Sequence, residues 1–445
     1  MLDLIKEGIR GGTSFCTQKI NCANNESNPQ GYNPEKERSH LLYLDVVSLY
    51  ATAMLDKFPQ SDYTWVENDE LESIDWTTYD GDDDTGYILK VDLGYPEWLQ
   101  DATVDLPLAP EKVVVQVNEL SQQQQKDIRD MKMGSSFTSA PRLLLHCGER
   151  KDYVVHYKAL RYYLNMGMTL NKIKCGFKFT EKPYFRDYIQ FNIDQRKLAK
   201  SESQRSLLKI TNNGIYGKSL QANKNNLTVK FCNSSQQARK LISLNRCADF
   251  VPITETLSMV MLRPLTVKLD KPTITGMTVL DLAKVIFYTN YYQRLKSVFQ
   301  DRITNLYMDT DSSLCIIRDP ENTFWEDLVN HRQFFDFSKI PATHEIFKRN
   351  NQIPNLRNEN KGVSGLWKIE SIDIAELVTI KSKQYSILYY NMAEEKKSKG
   401  VPMANLKSFS HQQYKEIITQ RKQQVFDINM IRSFKHKVYN LTVSK

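Results

Sequence analysis

The amino-acid sequence predicts an α+β fold. Strand-length apolar runs at residues 40–47, 86–93 and 305–317 are separated by blocks of helical spacing at 153–218 and 279–299, an irregular mixture that does not match the strict alternation of a parallel α/β sheet. No internal repeat runs through the chain, which excludes a solenoid. With 445 residues, 41% apolar and 25% charged, the chain has material for two or three packed subdomains and is too apolar for disorder to dominate. Its 17 Gly and 15 Pro are too few for a collagenous or low-complexity protein. No run approaches the ~18 consecutive apolar residues of a membrane span, and the opening Met1 to Gly12 lacks the pattern of a secretory signal. The 7 cysteines are scattered and form no C-x-x-C pair, which points to a reducing, intracellular compartment.

Taken in order, residues 21–38 are polar and read as a surface loop leading into the strand at 40–47. The Asp-rich stretch at 67–84 lacks the alternation and final Glu of a calcium loop and reads as solvated. A strand follows at 86–93. The block 153–218 reads as helical in three pieces, 153–164, 184–200 and 205–218, the last two forming an antiparallel pair closed by a polar hinge, Ser201 to Gln204. A long helix at 279–299 feeds a strand–turn–strand at 305–317, and a single strand at 377–389 opens the C-terminal part.

Charge is distributed unevenly. Residues 376–445 hold 13 Lys and Arg against 5 Asp and Glu, so the whole net charge of +8 resides there and the first 375 residues balance. A positive region beside a neutral body fits a polyanionic partner, because phosphate contacts release counterions.

Asp45 ends an apolar run, where a buried strand leaves its sheet, and Asp309 and Asp311 flank Thr310 at the tip of the expected hairpin. Carboxylates gathered at strand ends either take up protons or hold a cation between them. Oxygen ligands without a neighbouring His or Cys favour Mg²⁺ or Mn²⁺ over zinc. Lys209, Asn213 and Tyr216 stand at i, i+4 and i+7, one face of a helix, in a stripe that core packing does not explain. Thr211 to Gly214 is poor helix-forming sequence in mid-element, where function is expected. A cation, an amide and an aromatic ring on one face suit a nucleotide. Arg196, Lys197 and Lys200 add positive charge on the preceding helix.

These residues resemble a family B DNA polymerase, specifically the protein-primed branch of Polinton/Maverick elements, related viruses and linear plasmids. Asp45-Val46-Val47-Ser48-Leu49-Tyr50 resembles its motif A, D-x-x-S-L-Y. Lys209, Asn213, Tyr216 and Gly217 resemble motif B, and Tyr307-Met308-Asp309-Thr310-Asp311-Ser312 resembles motif C. Lys383-Gln384-Tyr385 resembles the K-x-Y motif, and Ile9-Arg10-Gly11-Gly12 the Y-x-G-G motif, with Ile9 in place of the usual Tyr. Ala51 stands where many relatives have Pro.

The resemblance implies a right-hand polymerase fold with an antiparallel palm sheet, helical fingers and a basic thumb. Its parts would be an N-terminal segment (1–38), a first palm part with an insertion (39–182), fingers (183–222), a further insertion and second palm part (223–375), and the thumb (376–445). It implies template-directed transfer of dNMP from a dNTP to a primer 3′-hydroxyl or a priming-protein hydroxyl, with two Mg²⁺ ions, or Mn²⁺, held by Asp45, Asp311 and the Val46 backbone and assisted by Asp309. Lys209, Lys197 and Arg196 would hold the triphosphate. Ser48, Leu49 and Tyr50 would supply backbone donors, and Tyr50 would exclude a 2′-hydroxyl. Asn213 and Tyr216 would border the nascent base pair, with Gly11, Gly12 and Gly217 on the DNA side. Lys381, Lys383 and Tyr385, on one strand face by alternation, would grip the primer terminus. The implied partners are primer–template DNA, dNTPs and a terminal priming protein, with no membrane. The implied location is the nucleus or a viral replication site, with the mitochondrion as alternative. Only 44 residues precede Asp45, so no 3′→5′ exonuclease domain and no proofreading are expected. Two readings compete: a DNA-binding remnant without turnover, and a nuclease using the same carboxylates.

Overall fold

Leu41, Leu42, Leu44 and Val46 place apolar side chains on both faces of one strand, the pattern of a strand covered from two sides. A computed structural model of the chain describes residues 1–29, 31–130, 140–222, 226–434 and 437–444. It places this strand, Ser39–Val46, inside a six-stranded sheet of order Ser14–Cys16, Ile303–Asp309, Ser312–Arg318, Ser39–Val46, Trp367–Ser371, Phe335–Asp336. Neighbours are antiparallel except the last two, which are parallel. One face is covered by the helix Thr273–Tyr288, apolar on nearly all sides and buried along its length. On the other face Leu41, Leu306 and Leu314 pack against Ile374, Leu377 and Ile387 of a C-terminal hairpin. The α+β expectation is met, with the sheet as the middle layer.

Several elements differ from the sequence reading. The strand expected at 86–93 is Thr85–Gly94, in a second antiparallel sheet of order Phe58–Val66, Thr169–Lys182, Thr85–Gly94, Arg150–His156. Residues 153–156 are therefore strand and not helix: Tyr153, Val154 and Val155 pair with Val91, Lys90 and Leu89. The helix starts at Tyr157, where the His156 ring accepts the Lys158 N–H. The strand Thr169–Lys182 also lies within the block read as helical. Its apolar residues alternate from Ile173 through Phe177 and Phe179, a period of two.

The antiparallel helical pair is present as Arg186–Leu198 and Glu202–Ser219. Ser201 to Gln204 is not a hinge; Ser201 and Gln204 form a capping box that starts the second helix. Asn212, a poor helix former, is buried and accepts a hydrogen bond from Asn192 Nδ2 at 2.8 Å, tying the two helices together. Asn192→Leu strands the Asn212 amide in a buried site, and the expected loss is about 1–3 kcal/mol in urea unfolding.

Residues 228–262 form a three-stranded sheet with the helix Ser235–Ile242. The long helix begins at Thr273 and changes to π geometry over Thr289–Leu295 before ending as Lys296–Phe299. The single strand expected at 377–389 is a hairpin, Ile374–Lys381 and Gln384–Tyr389, whose two-residue turn places Lys383 at φ 62°. The helix His411–Thr419 docks on it through Glu376, which accepts from His411 Nε2 at 3.2 Å and Lys415 Nζ at 2.6 Å. Against the upward pull of burial, these bonds hold the Glu376 carboxyl at about 2.

Candidate active site

Antiparallel pairing brings Asp45 and Asp311 together. Asp45 lies opposite Ser312 across the sheet, and the Val46 N–H donates to the Asp311 carbonyl at 2.7 Å. Between the paired strands the chain turns through Thr310 at φ 66°, with the Thr310 N–H donating to the Thr13 carbonyl at 2.7 Å. A side chain on Gly12 would collide with Thr310, so glycine lets the N-terminal segment close over this turn. Gly11 faces open space. Behind them the buried Lys284 ammonium donates to the Arg10 carbonyl at 3.0 Å, and the Arg10 guanidinium lies 3.6 Å above the Tyr153 ring. Burial brings Lys284 down to about 8, with Asp281 opposing the shift.

The carboxylates sense one another. Burial, then the Asp311 charge, then Glu370 raise Asp45 to about 7, while Lys368 and Lys209 pull the other way. Burial also raises Asp311, against a backbone hydrogen bond and the Lys209 charge. Lys209, on the helix Glu202–Ser219, is near enough for its charge to act on both carboxylates. Asp309 is engaged by the Lys383 ammonium, and the Lys383 N–H donates to the Tyr307 hydroxyl at 3.2 Å.

Among the described residues, no group of three or more His, Cys, Asp or Glu is gathered to hold a metal. What the chain offers is a pair of half-buried carboxylates, Asp45 and Asp311, joined through the backbone by the Val46 N–H and the Asp311 carbonyl. An all-oxygen pair of this kind fits Mg²⁺, which is bound through one or two carboxylates and completes its shell with water and substrate phosphates.

Ser48, at φ 54°, turns the chain into the helix Leu49–Ala53, whose first N–H groups have no helix carbonyl to meet. Arg196 Nη1 donates to Ser48 Oγ at 3.1 Å, joining the helical pair to this turn. The Tyr50 ring stacks on Tyr216 at 4.6 Å, with an interplanar angle of 23°. Lys197 is paired with Asp194 at 3.4 Å, and Asn213 and Gly217 are exposed on the helix that carries Lys209.

Lys381, Lys383 and Tyr385 do not share a strand face. The turn at Ser382 and Lys383 separates them: Lys381 is exposed, Lys383 reaches Asp309, and Tyr385 is 2% exposed, its ring 5.1 Å from that of Tyr307. Tyr385 therefore supports the sheet from below and does not reach a primer from this position. Sequence reasoning missed Lys368, opposite Asp45 on the neighbouring strand, and its partner Glu370 at 3.1 Å. Their alternate spacing on a short strand was the one available signal. It also missed Thr13 and Lys284, whose roles depend on contacts made far along the chain.

Among the described residues, no helix is long and apolar enough to cross a membrane. No curated protein matches the sequence. Among solved structures, phi29 DNA polymerase in an orthorhombic crystal form is 14% identical with a TM-score of 0.54, covering 100% of this chain and 62% of that one. Phi29 DNA polymerase complexed with primer–template DNA and incoming nucleotide gives 15% and 0.52, and its post-translocation complex with primer–template DNA 14% and 0.54, each with the same coverage. These likenesses show a shared fold, and this chain spans 62% of the length of those chains. The family model for DNA polymerase type B, organellar and viral, matches residues 30–262, more than half of the chain, taking in Asp45 and Lys209 and ending before Asp311. The structure adds Asp311, in the turn just before the strand that pairs with the Asp45 strand, and the chain belongs to the type B DNA polymerases of organellar and viral type.

Proposed function

We propose that this chain carries out template-directed DNA synthesis, extending a primer 3′-hydroxyl with dNMP from a dNTP. The observation that carries the reading is the meeting of Asp45 and Asp311 at the sheet edge, where burial raises both carboxyls, Asp311 raises Asp45 further, and the Lys209 charge from a separate helix opposes both shifts. Asp45, Asp311 and the Val46 backbone would hold Mg²⁺, which when bound would supply Lewis acidity to the attacking hydroxyl and offset charge on the leaving pyrophosphate. Lys209 lies on the side from which a triphosphate meets the carboxylates, with Arg196 at Ser48 beside it. Tyr50, stacked on Tyr216, forms a wall against which a sugar packs, which favours deoxynucleotides over ribonucleotides. Asn213 and Gly217 lie farther along the same helix, toward the base pair and the DNA.

Primer–template DNA is the proposed partner, gripped by the positive C-terminal region. A priming-protein hydroxyl as alternative acceptor, kinship with Polinton-type elements, and action in the nucleus or at a viral replication site belong to the same reading. The support for protein priming is the pair of insertions, the four-stranded sheet between Phe58 and Lys182 and the small sheet at 228–262.

Extension of a labelled primer on a single-stranded template, with purified protein, Mg²⁺ and dNTPs, tests the proposal. The expected result is a product whose sequence follows the template. DNA binding without product would favour a non-catalytic binder, and shortening of the strand would favour a nuclease.

A further inference from the structure

The most deeply buried helix contains an irregularity that the site described above does not use. Over Thr289–Leu295 it widens to π geometry, and the Lys296 N–H reaches back to the Tyr291 carbonyl. Single π turns of this kind are frequent at functional sites. Here the widened turn directs two polar residues at the strand next to Asp45. Asn290 is 1% exposed, and its backbone carbonyl accepts from Trp367 Nε1 at 3.1 Å. Its side chain donates to the Ile286 carbonyl at 2.9 Å and accepts from Arg294 Nη1 at 2.8 Å.

The same Arg294 nitrogen donates to the Gly365 carbonyl at 3.1 Å. Gly365, at φ 82°, begins a backbone exchange with the end of the Asp45 strand: its N–H donates to the Val47 carbonyl at 2.8 Å, and the Val47 N–H donates to the Leu366 carbonyl at 2.9 Å. Trp367 then pairs with Val46, and Lys368 with Asp45. A continuous path of hydrogen bonds thus runs from the π turn to the backbone that sets the position of Asp45.

Arg294 has no carboxylate partner among the described residues, and burial is the sole influence on its pKa, which it lowers. A half-buried cation without a counter-charge is costly to keep. Its two acceptors, one amide oxygen and one glycine carbonyl, are what its charge secures.

We propose that Arg294 is a positioning residue for the metal-binding carboxylates. By clamping the Gly365 carbonyl to Asn290, it fixes the Gly365 to Trp367 segment and so holds Asp45 at the distance from Asp311 that a divalent cation requires. The inference rests on the proposed role of Asp45 and Asp311 as ligands, and the geometry also sets the rank order of variants that tests it.

The test uses the full chain as wild type, Arg294→Gln, Arg294→Lys, Trp367→Phe and Asp311→Asn. Mn²⁺ binding is read by electron paramagnetic resonance of the free ion, beside thermal melting, primer–template binding and the Mg²⁺ dependence of extension. Arg294→Gln is expected to weaken Mn²⁺ binding, and to raise the Mg²⁺ concentration for half-maximal extension, by about 10- to 100-fold, the usual effect of removing an outer-sphere support. Primer–template affinity should not change. Arg294→Lys should fall between, because the ammonium keeps the charge and the donors but sits on a flexible stem without the fixed planar geometry of the guanidinium. Trp367→Phe keeps the ring and loses the N–H, and should shift Mn²⁺ binding in the same direction by less.

Unchanged Mn²⁺ binding and Mg²⁺ dependence in Arg294→Gln would overturn the proposal. So would weakening that merely tracks a fall in melting temperature with the Lys variant no better than the Gln variant, which would make Arg294 structural only. A wild type that binds Mn²⁺ through Asp311 but extends no primer would sink the polymerase reading, while the rank order of Mn²⁺ binding would still decide the role of Arg294.

Discussion

Asp311→Asn is expected to lower primer extension by about a thousandfold, the rate equivalent of about 4 kcal/mol, with primer–template binding intact. The substitution removes one of two half-buried carboxylates while keeping the shape of the turn, so an effect on folding is not the expected cause. A second consequence can be read without turnover. With Asp45 raised to about 7 by burial and by Asp311, its protonated form is favoured in the folded state relative to an unfolded carboxyl near 4. Its contribution to stability is therefore fully present below about pH 4 and is lost as pH rises through about 7. The melting temperature of protein held in a chelator should fall across that window, Mg²⁺ should restore it at the upper end, and Asp311→Asn should flatten the fall. A wild-type profile flat across the window would mean that burial and the Asp311 charge do not raise Asp45 as described.

Lys209→Ala is expected to reduce kcat/KM for the incoming nucleotide by about 10- to 150-fold, the equivalent of one charge-assisted hydrogen bond of about 1.5–3 kcal/mol. Steady-state kinetics with varied dNTP at saturating Mg²⁺ measure this. Lys209 also lowers the pKa of both Asp45 and Asp311, so the substitution separates two roles. Loss confined to the Mg²⁺ requirement, with the dNTP dependence unchanged, would assign Lys209 to the carboxylates alone.

The parts of the site that were legible in the sequence are those fixed by local geometry. An apolar run ending in Asp45, a two-strand turn carrying Asp309 and Asp311, and a helical stripe of Lys209, Asn213 and Tyr216 each follow from the period of one element. The misread parts depend on turns and partners that leave little local trace. The turn at Ser382 and Lys383 contains no Gly, Asn or Pro, so nothing in the sequence marked it and Leu377 to Tyr389 read as one strand. Tyr153 to Val155 form too short an apolar run to separate strand from helix by period alone, and Arg150, three residues earlier, gave no warning of the pairing. Asn212 was read as a sign of function, yet its burial against Asn192 explains it as a bond between helices. The π turn has no recognisable signature, since Thr289 to Leu295 reads as a plain continuation of the helix before it.

The strand order of the central sheet also governs when the site can exist. Asp45 and Asp311 are separated by 266 positions in the chain, and the strand beside Asp45 on its other flank ends only at Ser371. Translation at ~5–20 residues per second leaves the Asp45 strand waiting roughly 10 to 60 seconds before both neighbours have been made. Until then its apolar faces have no native cover, and pairings this distant close slowly. During synthesis the Asp45 strand therefore waits with its apolar faces unpaired, and the meeting of Asp45 with Asp311 is among the last features of the nascent protein to form.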